Sequence, residues 1–389
     1  MNKRIPLQNV GLSLTFTLFL ISLTGCELMG TKPFSDRTPI LWDVSLSGFG
    51  EVERVDSLLL GMADLATEDR LVAVDLDNRD IAWKSDVVNF QSGRLVTASK
   101  GDYIYAQIIQ AEGFYIYTKR GELISHVRFP DPFESRSLSI HPTIDSNKLY
   151  ISNGRHLYAY DLTDPVNPSL VWKISYDYDF KTMTVDNEGN LFVSMATTKD
   201  LDVALKQLNP VDGSVIWQAS TRTEEESVLQ RSAYTLEVDG GKLFAIAFGT
   251  VQAFSKETGE RLWVSELLRC SSDGIQSIYA MELAEGNAYI APAGGSCVFG
   301  VDLTDGNILW MHNAKVVPSA WFSYGGKPKY YNGVVYATNS YLWALDAQTG
   351  EVLSLSKIQD RLATQTYIQE YNGEILVWGE KLRAYKPVR

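Results

Sequence analysis

Tyr341-Leu-Trp-Ala-Leu-Asp-Ala-Gln-Thr-Gly-Glu-Val-Leu353 runs as an alternating apolar strand, an aspartate, a turn containing Gly350 and a second apolar strand. Alternation places every second side chain on one face of a sheet, and glycine supplies the positive φ of a tight reversal, so the stretch predicts a β-hairpin. The same arrangement stands at Val251 to Trp263 and at Val298 to Trp310. Weaker copies lie at Leu71 to Trp83, Phe114 to Ser125, Leu157 to Trp172 and Ala204 to Trp217. The residue four places after the turn falls at 83, 125, 172, 217, 263, 310 and 354, with spacings of 42, 47, 45, 46, 47 and 44 residues. A period near 45 built of hairpins, without a convincing helix, predicts an all-β fold, a β-propeller of four-stranded antiparallel blades.

Seven hairpins are complete, and each end of the chain holds half of another. Lys381-Leu-Arg-Ala-Tyr-Lys386 reads as a first hairpin strand, and Ile40-Leu-Trp42-Asp-Val44 as a second. Pairing them gives an eighth blade, closes the ring with an N-terminal strand and leaves no unpaired edge at the join. Segments upstream of the hairpins, such as Gly241 to Phe248 and Asn332 to Ala337, are expected to supply inner strands. Trp42, Trp83, Trp172, Trp217, Trp263 and Trp310 share one repeat position, which Ser125 and Ser354 take in two blades. One indole per blade at fixed spacing reads as packing between blades, its N–H bonded to a neighbouring backbone, rather than as a ligand-stacking set.

The first 25 residues have the layout of a secretory signal: Lys3 and Arg4, an apolar stretch from Val10 to Leu23, then Leu23-Thr-Gly-Cys26. The apolar stretch is 14 residues long and is broken by Ser13, Thr15, Thr17 and Ser22. A membrane-spanning helix needs roughly 20. The expected organisation is therefore a signal over 1–25, a tether over 26–38 and the propeller over 39–389. A flexible tether of that length spans on the order of 20 Å. Loss of Lys3 and Arg4 leaves 33 basic against 47 acidic side chains, a formal charge of −14 for the mature chain. Such an acidic surface argues against a nucleic-acid partner and against electrostatic attraction to anionic headgroups.

Leu-Thr-Gly-Cys26 resembles the lipobox of bacterial lipoproteins, which implies lipidation of Cys26. Each buried methylene adds about 0.8 kcal/mol of membrane affinity, so several acyl chains hold such a protein at the bilayer. In Gram-negative lipoproteins aspartate after the cysteine favours inner-membrane retention; Glu27 here implies the outer membrane, on its periplasmic face. The Ala-x-Asp-x-x-Thr-Gly-x-x-x-Trp pattern, nearly whole at Ala344 to Leu353 and Ala253 to Trp263, resembles the repeat of pyrroloquinoline-quinone-type propellers. Two groups carry it, the periplasmic quinoprotein dehydrogenases and the BamB-type lipoproteins of outer-membrane barrel assembly. The second is the better fit, over residues 39–389. That resemblance implies a non-catalytic scaffold that binds the periplasmic repeats of the barrel insertase through loops after the third and fourth hairpins. Those loops here are Lys173 to Val185 and Gln218 to Leu236, with Tyr176, Tyr178, Phe180 and Arg231 as candidate contacts. The family's Leu-Arg and Asp-x-Asp elements are missing from them, Arg231 and Ala233 standing where the latter aligns.

A quinone dehydrogenase would need a calcium-binding carboxylate set and, in many members, adjacent cysteines; the three cysteines here are dispersed. No cofactor is expected. Histidines 126, 141, 156 and 312 lie in different repeats without metal-ligand spacing, so no metal site is expected. Cys270 and Cys297 form an even pair in an oxidising compartment, which favours a disulfide worth roughly 3 kcal/mol over two buried thiols. Trp321, Phe322 and Tyr324 make an aromatic segment before Gly325 and Gly326, an interface if exposed and inner-strand core if not. Glu224-Glu225-Glu226 reads as a solvated run or a contact for a basic partner. A ligand- or glycan-binding propeller using the axial funnel stands as the alternative function. Replacing Cys26 by serine should release a folded protein into the soluble periplasmic fraction; tight retention with membranes would show that the lipid is not the main anchor.

Overall fold

Asp346 accepts the backbone N–H groups of Gln348 and Thr349, both at 3.0 Å, and the N–H of Gly350 returns to the Asp346 carbonyl at 2.8 Å. Aspartate at a turn start bonds its own backbone two residues on, and this folds the reversal locally. The same return runs from Gly213 to Asn209, from Gly259 to Ser255 and from Gly306 to Asp302.

The structure is a computed structural model that describes residues 39–46, 48–64, 69–86, 95–108, 112–132, 142–195, 205–222, 233–247, 249–270, 278–292, 297–313, 326–338, 341–358, 367–379 and 381–389. Among them are 32 strands, numbered in chain order, in eight antiparallel four-stranded sheets. The first sheet holds β2 (Gly48–Val55), β3 (Leu58–Asp64), β4 (Asp69–Asp75) and β5 (Asp80–Lys84). The second holds β6 (Leu95–Lys100), β7 (Tyr103–Ile108), β8 (Gly113–Thr118) and β9 (Leu123–Arg128), and the third β10 (Thr143–Asp145), β11 (Lys148–Asn153), β12 (His156–Asp161) and β13 (Ser169–Ser175). The fourth holds β14 (Phe180–Val185), β15 (Leu191–Met195), β16 (Leu205–Leu208) and β17 (Val215–Ala219), and the fifth β18 (Ala233–Asp239), β19 (Lys242–Ala247), β20 (Thr250–Ser255) and β21 (Arg261–Val264). The sixth holds β22 (Ile278–Ala284), β23 (Asn287–Pro292), β24 (Cys297–Asp302) and β25 (Ile308–Asn313), and the seventh β26 (Lys329–Tyr331), β27 (Val334–Thr338), β28 (Tyr341–Asp346) and β29 (Val352–Lys357). The eighth has the order β1 (Ile40–Val44), β32 (Leu382–Tyr385), β31 (Glu374–Trp378), β30 (Tyr367–Tyr371).

This is an eight-bladed β-propeller, and the two orphan strands of the sequence pair with each other as expected, Val44 opposite Leu382 and Trp42 opposite Ala384. The upstream segments Gly241 to Phe248 and Asn332 to Ala337 supply second strands, β19 and β27, whereas the innermost strands β18 and β26 precede them. Eight hydrophobic clusters account for the described core, each shared by two consecutive sheets. One of them joins Leu376, Trp378 and Ala384 of the eighth sheet to Leu59, Val72 and Val74 of the first, so the chain ends are locked from both sides. The tail adds Lys386 N–H to the Pro39 carbonyl at 3.1 Å and Arg389 to Asp346 at 2.8 Å.

Each seam has a specific contact at its outer end. The ring of Trp217 lies against Gly259 of the next sheet's hairpin turn, and Trp310 against Gly350; a Cβ on either glycine would stand 2.5 Å from the indole. Both glycines hold positive φ, 73° and 71°. Trp83 meets Gly121, Trp172 meets Gly213 and Trp263 meets Gly306 in the same way. The indole N–H then donates to the carbonyl after the turn's first residue: Trp83 to Lys119 at 2.7 Å, Trp217 to Lys256 and Trp310 to Ala347, each at 2.9 Å. In the Trp263 seam the corresponding carbonyl, Leu303, accepts from Lys242 instead, at 3.0 Å, and the indole N–H finds no acceptor among the described residues.

The exceptions follow the same geometry. Ser125 faces a turn three residues longer that carries Pro168 in place of glycine, and its hydroxyl donates to the Val166 carbonyl at 3.3 Å. Ser354 faces the eighth sheet, whose outer two strands come from opposite chain ends and share no turn. At the closing seam Trp42 meets Arg79, whose guanidinium sits 5.6 Å from the ring centroid, and Glu374 binds both the indole N–H at 2.7 Å and Arg79 at 3.3 Å. A cation over an aromatic face supplies there what a bare glycine supplies elsewhere. Gly259→Ala adds overpacking to left-handed strain and should cost about 2–5 kcal/mol. Gly240→Ala, where nothing stands within 4 Å of the added carbon, should cost only about 1 kcal/mol. Equal shifts of the denaturation midpoint would rule out the indole contact as the cause.

Candidate functional site

The segment between the third and fourth sheets is shorter than its sequence suggests. Strand β13 extends to Ser175 because that residue pairs with His156, and Phe180 already belongs to β14, opposite Met195. Only Tyr176 to Asp179 remain as a connection. It is fastened to the turn between β11 and β12: Tyr176 N–H donates to the Arg155 carbonyl at 3.1 Å and Phe180 N–H to the Gly154 carbonyl at 3.0 Å. Arg155 and Asp179 approach to 3.9 Å, a long and partly exposed pair that adds little.

Phe180 is 1% exposed and lies in the cluster between these two sheets. Its candidate contact role therefore needs correcting: it supports Tyr176 edge-on, with ring centroids 5.7 Å apart, and presents no surface of its own. Tyr176 is half-buried, packed on that cluster, and burial pushes its hydroxyl pKa up. Its ring also covers Lys206, whose ammonium is 5.2 Å from the centroid and donates to Gln218 Oε1 at 2.8 Å. Burial lowers the Lys206 pKa. Tyr178 is half-buried and Gln218 exposed, so Tyr176, Tyr178 and Gln218 are the accessible groups of this patch.

A polar bracket anchors the patch from the second sheet. Lys173 places its ammonium 2.9 Å from both oxygens of Asp131, Tyr158 donates its hydroxyl to Asp131 at 3.2 Å, and His156 Nδ1 lies 2.7 Å from the Ser175 hydroxyl. The Lys173 hydrogen bond holds the Asp131 carboxyl below its ordinary value, with Tyr158 assisting. Neither Asp131 nor Lys206 could be picked out from sequence. Lys206 lies in Leu205-Lys-Gln-Leu208, whose polar middle reads as exposed, yet all four residues are buried because a third strand is covered on both faces.

Arg231, the run 224–226 and the aromatic trio Trp321, Phe322 and Tyr324 lie outside the described residues, as do Cys26 and His141. The sulfurs of Cys270 and Cys297 are bonded, with Cα atoms 5.7 Å apart, and tie the segment after β21 to β24. His126 stacks on Tyr115 at 4.3 Å and His312 packs against Trp343 at 5.1 Å, well apart from His156. Among the described residues no three histidine, cysteine or carboxylate groups converge on a point a metal could occupy.

A family profile described as outer membrane protein assembly factor BamB matches residues 67–267 and 202–384. The chain belongs to the BamB family. The BamB of Nitrosomonas eutropha is 26% identical over 191 residues, which is 48% of this chain and 42% of that one. The chain thus spans less than half the length of this relative. BamB from Moraxella catarrhalis superposes with a TM-score of 0.65 at 13% identity, covering 90% of this chain and 97% of that one. A quinohemoprotein alcohol dehydrogenase from Pseudomonas putida gives the same TM-score at 14% identity, covering 89% of this chain and 75% of its own. At such identities these two share the fold alone with this BamB-family chain.

Because the Asp131 pKa is lowered on folding, its contribution is complete above the unfolded value near 4 and is lost as pH falls through the folded value. Asp131→Asn should therefore destabilise by about 1 kcal/mol at neutral pH. The gap in melting temperature from wild type should close on acidification below about pH 4. A gap that persists in acid would mean that the ion pair is not its source.

Proposed function

We propose that this protein is a non-catalytic scaffold lipoprotein, held by acylated Cys26 at the periplasmic face of the outer membrane, which assists β-barrel protein assembly. The observation that carries the reading is the BamB-family match across residues 67–384, most of the ring. The lipobox-like Leu-Thr-Gly-Cys26 adds the anchor and the compartment. A propeller suits this role because its loops vary without cost to the sheets, and the seams keep the contact patch rigid. The proposed partner is the periplasmic region of the barrel insertase, docking on Tyr176, Tyr178 and Gln218, with Arg231 offering a fork of donors to a carboxylate or carbonyl.

The dehydrogenase fold likeness defines the rival reading, which requires a quinone and calcium. A bound chromophore, or melting that shifts with calcium, would favour it. The direct test is a pull-down of the insertase's periplasmic repeats by wild type and by a Tyr176→Ala, Tyr178→Ala, Arg231→Ala variant of unchanged melting temperature. Phe180 stays intact as core. The expected result is binding by wild type and an affinity at least about tenfold lower for the variant. Equal binding would refute the site, and absence of wild-type binding would refute the partner.

A further inference from the structure

Among the described residues 12 large apolar side chains are more than 40% exposed, and 11 of them lie on the outermost strands of the sheets; the exception is Val211, in a turn. Outermost strands also carry one row of backbone N–H and C=O groups that no described strand pairs. Apolar side chains beside an open row of backbone donors and acceptors make a template for another strand, and proteins ordinarily blunt it with charge or a bulge. All eight outer ladders here have a register shift. Six outer strands also carry charge: Asp43, Lys84, Arg128, Lys173, Arg261 and Lys357 stand in β1, β5, β9, β13, β21 and β29.

Only β17 and β25 contain no Asp, Glu, Lys or Arg. In β17 the exposed Val215 and Ile216 are adjacent, beside the register shift, and Gln218 is engaged by Lys206. In β25 the shift falls at Leu309, as it does at Ile216 in β17, but Met311 stands where β17 has Gln218: Leu309 is 47% exposed, Trp310 8% and Met311 46%. His312 packs on Trp343, and its burial lowers its pKa, so the strand is uncharged at neutral pH. Directly beneath, β24 is fixed by the Cys270–Cys297 bond, which makes the edge a rigid template.

We propose that the outer edge of β25 is a docking site for an extended, uncharged peptide segment with apolar side chains at alternate positions, which adds a fifth strand to the sixth sheet. Backbone groups repeating along an edge are matched only by another extended backbone, and Leu309 and Met311 select apolar side chains on the facing side. The chain's charge of −12 disfavours acidic segments. The site lies on the rim, distinct from the Tyr176 patch, and does not depend on the partner proposed there.

The probe is a dye-labelled peptide of about ten residues alternating valine and threonine, titrated into the full chain and read by anisotropy. An analogue methylated at every backbone nitrogen keeps the side chains but cannot pair, and should bind at least about tenfold more weakly. Leu309→Lys and Met311→Lys, at unchanged melting temperature, should weaken the parent peptide comparably, while Ile216→Lys in β17 should not. With wild type, the peptide should slow amide exchange in β25, a readout that needs no variant. Equal binding of the methylated analogue, protection of β17 instead of β25, self-association through β25 without peptide binding, or no binding to wild type would each overturn the proposal.

Discussion

At five of the eight seams adjacent sheets meet through an indole laid on a glycine of the next turn, which has no Cβ at the point of contact. That approach lets the outer ends of neighbouring sheets close on each other while the eight clusters fill the space further in. Interiors are packed to crystal-like density, so such a contact tolerates little change on either side. The choice of residue at the repeat's tryptophan position is therefore made jointly with the turn of the following sheet. Where that turn is lengthened and carries Pro168, the position holds Ser125; where no turn exists, it holds Ser354. Arg79, in a left-handed conformation at φ 59°, takes the turn position that glycine holds elsewhere, and its planar cation suits the aromatic face of Trp42.

The hairpin period and the join of the chain ends were legible because turn chemistry is local: aspartate, glycine and alternation act over a dozen residues. The pairing of tryptophan with glycine some forty residues later was present in the sequence too, but its meaning needs the neighbouring sheet. The innermost strands were the least legible. Strands β10 and β26 are three residues long, and Lys329-Tyr-Tyr331 shows no alternation. Charges in and beside them are paired with neighbouring sheets: Lys329 of β26 meets Glu282 of β22 at 2.7 Å, and Lys327, just before β26, bridges Glu282 and Glu237 of β18.

The contact patch divides along the same line. Tyr176-Asp-Tyr-Asp-Phe180 reads as a polar loop interleaved with aromatics, and for Tyr176 and Tyr178 that reading matches their partial exposure. Phe180 differs because β14 begins at it, inside the stretch that reads as a loop as far as Val185, turning its side chain into the seam. Asp131 and Lys206 take their importance from groups brought over by other sheets, which no local pattern encodes. The scaffold thus decides which aromatic of an evenly spaced run is available to a partner.

Closure through β1 and β32 also sets the order in which the molecule can be built. Seven sheets form from consecutive strands, each needing only a short loop to close. The eighth must bring together strands about 340 residues apart. Closing a loop that long rather than one of about 45 residues costs only about 2 kcal/mol more in entropy, an amount the shared cluster can offset. The kinetic consequence is larger, since β1 leaves the ribosome first and has no partner until the last strand has followed it. In that interval Ile40, Leu41 and Trp42 stand on an unpaired edge available to other chains. That waiting period is the stage at which the chain most exposes apolar strand surface to aggregation.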